Sequence, residues 1–222
     1  MAVSVSFASM QDLVISELSR IPRRSVLQLS LLAIISESAT LLWWSFRLSL
    51  HLAAVAIAVL LILAGLAVAY ATSMEMIEQP RSTRGLLLYI GVALLMALPG
   101  LLGIGLLALS AVIGQDELIV VAVGIVLAAV VILPMLVAWP LVQSVSPRLI
   151  SPSEAFRRSR GMRWPLLLFA FIVSAVSRAL PGTMQANSFP EALLSAGLNG
   201  VFSVGLSMLL IAVAVAAFRH TN

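Results

Sequence analysis

Six long apolar stretches decide what this chain can become. They run over residues 25–46, 50–74, 85–113, 117–143, 165–181 and 192–218, and they take up most of the 222 residues. A helix of about 20 apolar residues matches a bilayer hydrocarbon core about 30 Å thick. No segment between the stretches is long enough for a soluble domain with its own core, which takes at least about 50 residues. The expected fold class is therefore all-α: a polytopic membrane protein with six transmembrane helices over 25–222. An N-terminal interfacial amphipathic segment over 1–24 precedes them.

The charges agree with six spans. Hydrophobic residues make up 61% of the chain, the mean hydropathy is +1.12, and all 13 cationic side chains are arginines. With both termini cytoplasmic, Arg20, Arg23, Arg24, Arg81, Arg84, Arg148, Arg157, Arg158, Arg160, Arg163 and Arg219 lie inside, and only Arg47 and Arg178 lie outside. An odd number of spans breaks this alternation, and cytoplasmic retention of arginine sets topology in this way. The expected location is the bacterial cytoplasmic (inner) membrane. The net charge of +4 points to anionic lipid on the cytoplasmic side as partner rather than nucleic acid. The absence of cysteine excludes disulfides, thiolate metal sites and cysteine nucleophiles. Residues 1–24 carry Asp12 and Glu17 without a continuous apolar run, so they are not expected to act as a signal peptide.

Within residues 7–21, Phe7, Met10, Val14, Leu18 and Ile21 recur at helical spacing, while Gln11, Asp12, Ser16, Glu17 and Arg20 fall on other faces. Pro22 ends this helix, which is expected to lie in the cytoplasmic interface. The first span carries Gln28, Ser30, Glu37 and Thr40, with Trp43 and Trp44 near its outer end. Its join to the second span contains Arg47 and His51 but no glycine or proline. One long bent helix there would invert everything downstream, and the arginine distribution argues against it. Pro99 in the third span and Pro134 and Pro140 in the fourth are expected helix kinks, fixed by packing or lining a cavity. Gly100, Gly103 and Gly105 in the third span, and Gly197, Asn199, Gly200 and Gly205 in the sixth, form a close-packing pattern with an amide able to bond across the contact.

Glu37 is the foremost polar candidate, since a carboxyl near mid-membrane is costly unless paired or functional. Proton relay, capture of a cationic substrate and a hydrogen-bonded packing lock are all consistent with it; without a second buried ionisable group the packing lock is favoured. His51 and His220 fall at opposite membrane faces and cannot share a metal or haem. No His-Glu-x-x-His run, Gly-x-Ser-x-Gly elbow or lysine occurs. No catalytic residue, metal or cofactor is expected.

The segment after the fourth span is the best-defined local motif. Ser151, Pro152 and Glu154 supply an N-cap, a first-turn proline and a capping-box glutamate. A short helix from Ala155 to about Arg160 should follow and stop at Gly161. Arg157, Arg158, Arg160 and Arg163 then project at headgroup level, with Phe156 and Trp164 as anchors; each cation is worth about 1 kcal/mol near an anionic leaflet.

The run from Pro134 through Val145-Ser146-Pro147, and from Ile150 through Gly161 to Arg163-Trp164, carries an Ala-x-x-x-Ser element at Ala155 and Ser159. It resembles the bacterial six-span proteins grouped with the glycerophosphoryl diester phosphodiesterase membrane domain and related uncharacterised families. The interval from Ser159 to Gly161 is shorter than in that pattern. The resemblance implies six spans and a membrane part that is not itself catalytic, so phosphodiesterase activity is not carried over. The function expected is non-enzymatic, through contacts with lipid or partner helices, a membrane-protein partner or a second copy included. The alternative is a small transporter or channel with Glu37 facing a cavity between kinked helices.

Overall fold

A computed structural model describes residues 6–46, 51–179 and 185–221. Arg47 and the join at 47–50 lie outside the described residues, as do the side chains of Trp44, His51 and Arg178. Every regular element among the described residues is helical. In order they are α1 (Phe7–Ser19), α2 (Arg23–Phe46), α3 (His51–Met76), α4 (Thr83–Ile113), α5 (Asp116–Met135), α6 (Trp139–Val145), α7 (Pro152–Arg158), a 3-10 turn (Ser159–Gly161), α8 (Arg163–Ala179) and α9 (Phe189–Thr221). Five are long and apolar enough to cross a membrane, or six if α7, the 3-10 turn and α8 count as one bent span.

Local chemistry sets most boundaries. Ser6, Ser82 and Ser151 cap α1, α4 and α7 by accepting from the amides of Ser9, Gly85 and Glu154. Gly114, at φ +68°, ends α4 in the left-handed conformation that glycine adopts without a Cβ clash. Pro99 sits inside an unbroken 31-residue α4. The expected fourth span divides instead: α5 ends one residue after Pro134, residues 136–138 turn, and Pro140 lies in the first turn of α6. A missing N–H is harmless there, because the first helical amides have no intrahelical partner. The break lets α6 bury Trp139, Pro140, Leu141, Val142 and Gln143. The chain also bends by 96° between the 3-10 turn and α8. At 1.5 Å per residue the 17 residues of α8 reach about 25 Å, short of a full hydrocarbon core.

The helices run up and down. Arg24 at the start of α2 pairs with Glu75 at the end of α3, which requires the chain to reverse between them. A single continuous helix over 25–74 is thereby excluded. The Tyr70 hydroxyl donates to the Ser82 carbonyl at 3.1 Å and accepts from the Ser82 amide at 3.0 Å, tying α3 to the start of α4. Arg219 at the end of α9 donates to the Met76 carbonyl at 2.7 Å. The arginine-rich ends of these helices thus gather at one end of the bundle.

The core is concentrated there as well. Ile211 through Ala217 of α9 are all buried, enclosed by α1, α2, α3 and α6. Met10 and Val14 of α1 pack with Met162, Leu166, Ala212 and Ala216, and the Phe7 ring meets Phe169 at 5.1 Å. The apolar face expected to enter lipid is therefore covered by α8 and α9, while Leu13 and Ile15 remain exposed. Farther from this end the bundle presents apolar residues outward, Val112, Val120 and Val201 among them.

Candidate functional site

Three carboxylates, one each on α1, α3 and α7, organise the arginine end. Glu17 meets Arg20 and Arg219, each at 3.3 Å. Glu75 meets Arg24 and, at 3.0 Å, Arg81. Glu154 meets Arg148 at 3.1 Å and Arg158 at 2.8 Å. Exposed ion pairs contribute little stability singly; here each carboxylate joins two arginines and so fixes which segments lie side by side. The hydrogen bond from Arg158 holds the Glu154 carboxyl below the usual carboxylate range, with the charge of Arg148 adding to the effect. Glu17 and Glu75 were not singled out by their sequence context. Glu17 falls on the polar side of α1 by pattern, yet it is buried against α9.

The four expected contact arginines divide into two pairs. Arg158 turns inward to Glu154. Arg163 donates to the Phe156 carbonyl at 2.6 Å, and its guanidinium lies 3.6 Å from the Phe156 ring centroid. Phe156 is thus half-buried beneath a cation and serves as its stacking platform. Arg157 and Arg160 are exposed and have no ion pair among the described residues. Trp164 and Leu149, each 79% exposed, flank this segment.

The segment is held in place from below. Gln143, 1% exposed, accepts from the Ile150 amide at 2.7 Å and donates to the Arg148 carbonyl at 3.0 Å. The Trp139 indole donates to the Ile150 carbonyl at 3.0 Å. These bonds anchor the turn that begins α7, and Arg84 adds one to the Pro147 carbonyl at 2.9 Å.

Glu37 lies elsewhere, on a cavity of about 430 Å³ between α2 and α9. The walls are matching helical stripes: 30, 33, 34, 37, 38 and 41 on one side, and 193, 196, 197, 200, 201 and 204 on the other. None of Pro99, Pro134 and Pro140 lines it, so the cavity does not lie between the kinked helices. Glu37 carries no hydrogen bond or ion pair among the described residues. The hydroxyl of Thr40 is engaged with the Ser36 carbonyl of its own helix at 3.0 Å. Asn199 is half-buried beside this wall without lining it.

The glycines also separate. Gly103 packs against Val126 of α5, and a Cβ at Gly200 would stand 3.5 Å from Glu37 Cγ. Gly100, Gly105, Gly197 and Gly205 face open space. No three acidic or histidine side chains among the described residues are grouped to hold a metal ion. No protein-family model, curated protein or solved structure matches the chain.

Proposed function

We propose that this is a non-enzymatic integral membrane protein of a bacterial inner membrane that works by holding anionic lipid headgroups at its arginine end. In this reading six spans cross the bilayer and both termini are cytoplasmic, in keeping with the layout of the six-span families it resembles. One observation carries the proposal: Arg157 and Arg160 are exposed and have no ion pair among the described residues, in a segment that also exposes Trp164 and Leu149, while Arg148 and Arg158 pair with Glu154 and Arg163 stacks on Phe156. A segment that exposes cations together with an indole and an aliphatic side chain suits the boundary where phosphate meets acyl chain. The open glycines Gly105 and Gly205 offer outward positions for a partner helix or a second copy.

The test is titration of a short-chain phosphatidylglycerol into the protein in neutral detergent. Saturable binding is expected, weakened by added salt and absent with the phosphatidylcholine of equal chain length. Arg157→Ala/Arg160→Ala should lose about 1 kcal/mol per arginine, a weakening of roughly tenfold or more. Equal binding of both lipids, or no effect of the double substitution, contradicts the reading.

A small transporter or channel is the second reading, and the cavity against Glu37 is the observation in its favour.

A further inference from the structure

The wall of the α2–α9 cavity holds one ionisable group in surroundings that are otherwise aliphatic, glycine or serine hydroxyl. A carboxyl within a spanning helix is costly unless it finds a counter-charge, a hydrogen-bond partner or a proton. This chain supplies none of the first two among its described residues. Arg23 at the start of α2 is 14 residues from Glu37, about 21 Å along a helix. Arg20, Arg24, Arg81, Arg148, Arg158 and Arg219 are committed to Glu17, Glu75 and Glu154.

The space is built into the sequence. Gly197 and Gly200 occupy the α9 wall where larger residues would close the gap, and a Cβ at Gly197 would meet nothing within 4 Å. Below the cavity, Leu29 and Ile211 are buried, so the two helices are held together at the arginine end while the stripes above them line the open space. A cavity of about 430 Å³ falls within the usual range for small-molecule sites, about 300–1,000 Å³.

We infer that this cavity, open on its outer side, is a binding site for a hydrophobic organic cation, with Glu37 as its counter-charge and Ile34, Leu41, Leu193 and Val201 lining the space for its apolar body. Charge complementarity selects the occupant: the described residues of the lining offer one anionic group, no cationic group and an aliphatic surround. The proposal deepens the second reading by naming a ligand class. It rests on that reading's cavity but not on transport, and it is independent of the arginine rim.

The experiment is equilibrium dialysis of tetraphenylphosphonium against the protein in nanodiscs of purely zwitterionic lipid, with tetraphenylborate as an anion of matching shape. Wild-type protein should bind the cation saturably, one per chain, and should not bind the anion in this way. Glu37→Gln should weaken cation binding roughly tenfold or more, because a charge pair in a low-dielectric cavity is lost. Gly197→Leu should abolish it by filling the cavity, at a position where the added side chain has room. Wild-type protein that binds both ions alike, or neither, overturns the inference. So does a Glu37→Gln protein that binds the cation as tightly as wild type. The comparison of two ions on unaltered protein keeps the test decisive even if a variant fails to fold. Discs without anionic lipid separate this result from the headgroup reading, and saturable binding without flux would remove transport alone.

Discussion

Ala212→Leu is expected to lower the thermal stability of the purified protein more than any substitution in the outward-facing halves of the spans. Ala212 is 0% exposed and lies within the stretch of α9 whose every residue is buried. Met10, Val14, Met162 and Leu166 pack in the same cluster, drawn from α1, the 3-10 turn's end and α8. Added methylenes in such a site force neighbours off their rotamers and typically cost about 1–3 kcal/mol. For a chain of this size each kcal/mol corresponds to about 2–4 °C of melting temperature on the scale of soluble domains. Circular dichroism melts in mild detergent provide the measurement, with Leu194→Ala as comparison, since Leu194 is 66% exposed. Equal melting of the two variants would mean that α9 is not the central helix of this bundle.

Gln143→Leu should release the turn that sets the exposed arginines in place. The substitution keeps a side chain of similar bulk under the turn but removes both hydrogen bonds of the amide, stranding the buried Ile150 amide and the Arg148 carbonyl. A stranded buried donor costs about 1–3 kcal/mol. Ile150 precedes α7 by two residues, so the cost falls on the element that carries Arg157. Amide exchange at Ile150 should accelerate by roughly tenfold or more, as local opening becomes easier by the same free energy. Trypsin cleavage after Arg148 should accelerate with it. Unchanged exchange and cleavage would show that Trp139 and Arg84 hold the turn without Gln143.

What could be read in advance from the sequence was local. The capping residues of α7 name its start because Ser151, Pro152 and Glu154 act within one turn, and the apolar spacing of α1 marks the face that packs. The up-and-down order followed from arginine placement along the chain, and the Arg24–Glu75 pair is consistent with it. The clamps were hidden for a physical reason. Glu17 and Arg219 meet only after every helix between them is placed, and no local pattern encodes a partner at the other end of the chain. The break at 136–138 depends on what α6 gains by burying Trp139 and Gln143 against its neighbours, which hydropathy alone does not register. The same holds for the bend before α8. Glu37 stood out as a costly residue, but the matching stripe on α9 that turns it into one wall of a cavity required the two helices to be set side by side.

The most direct test of the headgroup reading is native mass spectrometry of the protein released from its own membrane in mild detergent. Wild-type protein should carry anionic lipid through the release, and Arg157→Ala/Arg160→Ala should lose it while remaining folded. Wild-type protein that emerges without anionic lipid, or a double variant that keeps it undiminished, would contradict the account.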